Sequence, residues 1–141
     1  MTTAILSFHH LGLLTGQPEL ARRRLRVLGY ECGPTLYDPR QDVDLCMCRG
    51  PDGAPPIELV TPRESNAGLT RMLKRKDAYG YHVCLITPNL ELGAKALAAE
   101  EQERITEMAP PKPAVLFDGA RVAFFAVPGL GLVELLEQVP E

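Results

Sequence analysis

The chain has no apolar run approaching the roughly 20 residues that a membrane-spanning helix needs, which excludes that class of membrane protein. It also lacks an excess of positive charge. Fifteen Lys and Arg stand against eighteen Asp and Glu, a formal net charge of -3, and this argues against a nucleic-acid-binding surface. The basic runs Arg22-Arg23-Arg24 and Lys74-Arg75-Lys76 are local exceptions. Cysteine is scarce: Cys32, Cys46, Cys48 and Cys84 are too few and too scattered for a disulfide framework in a chain of 141 residues, so free thiols are expected. Cys46 and Cys48 would share a strand face, but a zinc site wants two more close ligands, and buried strand residues are the default. Met1-Thr2-Thr3 does not open a signal peptide, so the expected location is the cytoplasm. Histidine is scarce too: there are three, and two are adjacent in "FHHLGLL" (8–14).

The length suits one domain spanning 1–141, or two small subdomains sharing a core. Strand-forming residues fill 8–14. Pro18 opens a helix carrying Leu20, Ala21, Leu25 and Leu28 on one stripe, and Gly29 stops it. The arginines 22–24 and 26 fall mostly on the other face and read as solvated surface. Strands are expected at 30–37, 42–49 and 56–61. Residues 62–80 read as a linker holding a short helix capped by Asn66. A strand at 81–87 and a helix at 90–100 after the cap Asn89 come next. Strands near 104–108, 114–117, 121–127 and 131–137 follow, with breaks at "APPKP" (109–113) and "DG" (118–119).

The order strand, helix, strands thus occurs twice, in modules 8–61 and 81–137, and the letters agree. Without a gap, "HLGLLTGQPELARRRL" (10–25) lies over "HVCLITPNLELGAKAL" (82–97), placing His10 on His82, Thr15 on Thr87 and Leu25 on Leu97. At the module ends "IEL" (57–59) matches "VEL" (133–135), placing Glu58 on Glu134. Duplicated modules pack most simply about a pseudo-twofold axis, so equivalent residues would face each other. Two imidazoles and two carboxylates in otherwise apolar segments would then converge. An unpaired buried carboxylate is costly, and this mixed set suits cobalt, zinc, nickel, manganese or iron(II) better than calcium. The reading is one divalent metal ion held by His10, Glu58, His82 and Glu134. His9 has Tyr81 as its counterpart and points to the opposite face from His10, so it is not expected to be a ligand.

On "HLGLL", "PPIELVTP", "YHVCLI" and "GLGLVELLE" the chain resembles the vicinal oxygen chelate, or glyoxalase/bleomycin-resistance/dioxygenase, superfamily. Its "ELVTP", "YHVCL" and "LVELLE" contexts are most similar to the methylmalonyl-CoA epimerase branch. The resemblance implies an α+β fold in which two βαβββ modules form an open, cupped eight-stranded barrel. It implies a metal-dependent isomerase or lyase that stabilises an enolate of a small carbonyl or acyl-thioester substrate, with Glu134 as the proton-removing carboxylate. The substrate partner it implies is that small molecule; a second copy of the chain in a homodimer is also expected, and charge and hydropathy point to no nucleic acid and no membrane.

The sequence departs from the branch in two places. Where the branch carries a His-Pro-Lys-like stretch, this chain has Ala126-Val127-Pro128. Where the branch has a second catalytic carboxylate on the third strand, a gapless reading gives Leu45; Asp44 is adjacent and would need a bulge to reach the same face. Asp44 is therefore the second catalytic candidate, with Tyr37 and Tyr81 as weaker candidates for the rim. Two other readings stand beside the epimerase-like one: an extradiol dioxygenase-like enzyme, and a bleomycin-resistance-type protein that binds a small molecule.

Overall fold

The computed structural model describes residues 5–98 and 105–138. Among them no helix is long and apolar enough to cross a membrane. The chain divides into two compact units, one of His10–Tyr81 and one of Met1–His9 with His82–Glu141. In the first module β1 (Ser7–Thr15), helix α1 (Pro18–Val27), β2 (Glu31–Asp38), β3 (Val43–Arg49) and β4 (Ile57–Pro62) follow in order. The strands lie side by side as β2-β3-β4-β1. A short helix α2 (Ala67–Met72) precedes the second module, which holds β5 (Ala78–Thr87), α3 (Leu90–Ala98), β6 (Thr106–Pro113), β7 (Arg121–Val127) and β8 (Gly131–Glu137). Its strand order is β5-β8-β7-β6. The α+β class with two βαβββ modules is as the sequence implies.

The repeat is exact in register. β1 runs parallel to β4 with Gly12 opposite Glu58, and β5 runs parallel to β8 with Cys84 opposite Glu134. In each module the glutamate thus sits opposite the second residue after the histidine. Each helix also starts the same way. Thr15 Oγ1 accepts from Gln17 N at 3.0 Å, and Thr87 Oγ1 accepts from Asn89 N at 3.3 Å. Both threonines are buried, so these hydroxyls satisfy backbone donors that would otherwise be costly to bury.

The caps fall where expected. Asn66 Oδ1 accepts from Leu69 N, and Asn89 Oδ1 accepts from Leu92 N. Helix α1 closes at Gly29, whose φ of +91° is the left-handed geometry that favours glycine. Leu25 is buried, but Leu28 is 65% exposed because it is already the cap residue. Arg22 departs from the solvated reading: its side chain is only 18% exposed.

The expectation fails around 104–117. β6 runs through "APPKP" to Pro113, and Val115–Phe117 form a 3-10 turn rather than a strand. Proline is tolerated because β6 is the outer strand of its module, where a missing N–H breaks no second ladder. Its pairing with β7 shifts register between Glu107 and Ala109 and between Ala109 and Lys112. The end of the helix expected through 100 and the start of the strand expected at 104 lie outside the described residues.

Two packing details give measurable outcomes. A Cβ on Gly93 would stand 2.7 Å from Thr87 Oγ1 and 2.9 Å from its Cβ and Cγ2. Ala gains about 1 kcal/mol of helix propensity over Gly, but overpacking against a fully buried side chain costs about 1–3 kcal/mol. Gly93→Ala is therefore expected to lower the melting temperature, and a rise would show that Thr87 yields freely. Glu137 accepts from Leu90 N at 3.0 Å, at the start of α3, and from Arg121 Nε and Nη2 at 3.0 and 2.8 Å. The hydrogen bonds from Arg121 lead in holding its carboxyl below the ordinary value of 4.5. A lowered carboxylate pKa stabilises the fold above its unfolded value and loses that contribution as pH falls through the folded one. Glu137→Gln should cost about 1–2 kcal/mol at pH 7, with the gap shrinking in denaturant melts as the pH falls below the ordinary value of 4.5. A pH-independent gap would contradict it.

Candidate functional site

β1 buries alternate residues, and His10 is among them at 0% exposure, while His9 on the other face is partly exposed. The parallel register with β4 brings Glu58, 3% exposed, alongside. His10 Nε2 lies 3.8 Å from Glu58 Oε1. In the other unit the same construction places His82 Nε2 3.4 Å from Glu134 Oε1, with exposures of 5% and 4%. Phe124 stands directly opposite Glu134 on β7 and meets the His82 ring edge-on at 5.7 Å between centroids. The equivalent place beside Glu58 is held by Met47. Neither neighbour carries a polar signal, yet extending the repeat through the β3 and β7 ladders would have found both.

Ligand atoms about 2.0–2.2 Å from one ion stand about 3.0–3.5 Å apart at octahedral to tetrahedral angles. The His82–Glu134 pair has that spacing, and His10–Glu58 is a few tenths of an ångström wider. A buried imidazole and carboxylate at this distance fit a borderline divalent transition ion in chemistry as well as spacing. His9 instead sets its ring edge-on to Phe117 at 5.3 Å.

The third strand gives a definite geometry. β3 pairs with β4 without a break, Leu45 opposite Val60 and Met47 opposite Glu58. Cross-strand partners share a face, so Leu45, 5% exposed, lies on the side of Glu58 and Asp44 on the reverse side. No bulge turns Asp44 round. Its carboxylate is engaged with Arg63, whose Nε and Nη2 reach it at 2.9–3.1 Å. Tyr37 lies opposite Asp44, donates to Asp42 Oδ1 at 2.9 Å, and carries the Arg63 guanidinium 4.2 Å over its ring. Asp38 does share the Leu45 side, but its oxygens accept from the Arg40 and Gln41 backbone amides and the Gln41 side chain. Tyr81 precedes His82, and therefore faces the other way on the strand.

A fold and a pair of sites so constructed define a class. The sequence model of the Glyoxalase/Bleomycin resistance protein/Dioxygenase superfamily matches residues 9–124, and the chain belongs to that superfamily. No curated protein matches the sequence. Among solved structures, methylmalonyl-CoA epimerase from Mycobacterium tuberculosis is similar with a TM-score of 0.79 and 17% identity, over 99% of this chain and 93% of that one. A Streptomyces coelicolor methylmalonyl-CoA epimerase variant in complex with 2-nitronate-propionyl-CoA gives 0.74 and 18%, over 96% of each chain. A hypothetical protein from Bacillus halodurans gives 0.75 and 17%, over 98% of each. At these identities the likeness is one of fold.

Proposed function

We propose that the protein is a divalent-metal-dependent isomerase or lyase acting on a small carbonyl compound or acyl thioester. His10, Glu58, His82 and Glu134 together hold one ion of cobalt, zinc, nickel, manganese or iron. The modules 8–61 and 81–137, joined by the linker 62–80, act as the two halves of one cupped barrel around it. The observation that carries this reading is the duplicated pair: one buried histidine and one buried glutamate, in the same register, in each module. Burying four such groups without an ion would be costly in both places at once. Membership of the superfamily and the acyl-CoA ligand of one structural neighbour support the substrate class.

A bound divalent ion supplies Lewis-acid stabilisation of negative charge developing on a substrate oxygen. The chain supplies the proton chemistry. A proton α to a thioester is too weakly acidic for a free carboxylate, so the base must act beside that charge stabilisation. A Glu134 carboxylate oxygen removes the α-proton and returns it. Leu45 on the Glu58 side offers no second proton carrier.

Metal analysis of the purified protein tests this. About one transition-metal equivalent per chain is expected, together with metal-dependent exchange of a substrate α-proton into deuterated water. A chain that folds fully and binds a small molecule with no metal would favour the bleomycin-resistance type of function instead.

A further inference from the structure

The reverse face of the first module carries a second constellation of donors. Cys32, on the outer strand β2, stands directly opposite Cys48 on β3, and Cys46 lies two residues before Cys48 on the same face. The three sulfurs lie within 4.8 Å of one another. Cys46 Sγ and Cys48 Sγ are 3.9 Å apart, and Cys48 Sγ is in contact with Cys32 Sγ at 2.6 Å. Cys46 and Cys48 are 3% and 0% exposed, while Cys32 is partly exposed, and all three are free thiols. This is a third ligand, contributed by strand pairing, that the spacing "CMC" alone could not supply.

We propose that Cys32, Cys46 and Cys48 form a binding site for one soft monovalent cation, copper(I). Thiolates select soft ions, and three sulfurs without a fourth protein ligand suit a three-coordinate copper(I) better than zinc, which takes four ligands. Sulfurs about 2.3 Å from a trigonal ion stand about 4.0 Å apart, close to the Cys46–Cys48 separation of 3.9 Å. The Cys32–Cys48 contact must open by roughly 1.4 Å to match that spacing. Cys32 is the residue able to move: it is partly exposed, on an outer strand, beside the register shift between Cys32 and Thr35.

Two neighbouring features fit an anionic cluster. Arg22 Nε is buried with no hydrogen-bond acceptor among the described residues, and the guanidinium lies beside the Cys46 sulfur. A cavity of about 200 Å³ reaches Cys46, walled by Arg22, Thr35, Asp44 and Leu59, and gives an ion a way in. Binding exchanges three S–H protons for one copper(I), leaving a complex of charge -2 that Arg22 partly offsets; no electron is transferred.

The test titrates reduced protein with copper(I) under anaerobic conditions against a colorimetric copper(I) chelator. One copper per chain should be withheld from the chelator, with an ultraviolet sulfur-to-copper charge-transfer band. Cys32→Ser, which disturbs only the partly exposed position, and Cys46→Ser should each weaken binding at least tenfold while circular dichroism melts show a folded chain. His10→Ala should keep this copper, separating it from the proposed divalent centre. Failure of the reduced wild type to compete, or wild-type affinity in both serine variants, overturns the site. So does a chain whose only thiol chemistry is a Cys32–Cys48 disulfide, seen as a two-dalton mass loss.

Discussion

His10→Ala and His82→Ala are each expected to empty the proposed divalent centre, while His9→Ala leaves it filled. His10 and His82 are buried and stand 3.8 and 3.4 Å from a glutamate oxygen. Removing an imidazole takes away one of four proposed ligands and leaves a buried carboxylate without that neighbour. Loss of groups that merely support a metal ligand costs about 10–100-fold in affinity, so loss of a ligand should exceed about 100-fold. Exchange activity should fall to background with it. His9 lies on the opposite strand face and packs on Phe117, so His9→Ala should perturb stability more than metal content. Dialysis against a weak chelator followed by elemental analysis measures all three variants. Full metal content in either His10→Ala or His82→Ala would sink the assignment.

The two modules were legible because duplication doubles a weak signal. "HLGLL" alone reads as any buried strand, but its superposition on "HVCLI" fixes a register, and the parallel ladders follow that register at Gly12–Glu58 and Cys84–Glu134. Capping was legible because Asn66 and Asn89 act within three residues of themselves. What failed depended on sheet position. Pro110, Pro111 and Pro113 argue locally for a break, and only the outer place of β6 makes them acceptable strand residues. Arg22 reads as one of four solvated arginines until β2 and β3 bring Thr35 and Cys46 against it. Asp44 was ambiguous because one residue of slip reverses a strand face. The unbroken β3–β4 pairing removes the bulge it would have needed.

That geometry leads to the last expected result: rapid α-proton exchange without comparable inversion of methylmalonyl-CoA. Inversion takes a proton from one face of the α-carbon and delivers one to the other, most simply with two acid–base groups. Glu134 serves one face in the proposed function. On the third strand the residue on the Glu58 side is Leu45, 5% exposed, and it carries no proton. Asp44 is on the reverse face, in a two-nitrogen contact with Arg63, and the nearby Asp38 is consumed by a turn. The expected physiological substrate is then one for which a single base suffices. Incubation with (2R)- and (2S)-methylmalonyl-CoA and a panel of acyl thioesters and α-keto compounds in deuterated water follows exchange and inversion separately. Exchange should outpace inversion by at least tenfold, a difference of about 1.4 kcal/mol in barrier. Leu45→Glu, which puts a carboxylate on the Glu58 side, should raise inversion relative to exchange if the variant folds. Fast metal-dependent inversion by the wild type, retained in Asp44→Asn, would mean that a group other than these serves the second face and would defeat the single-base reading.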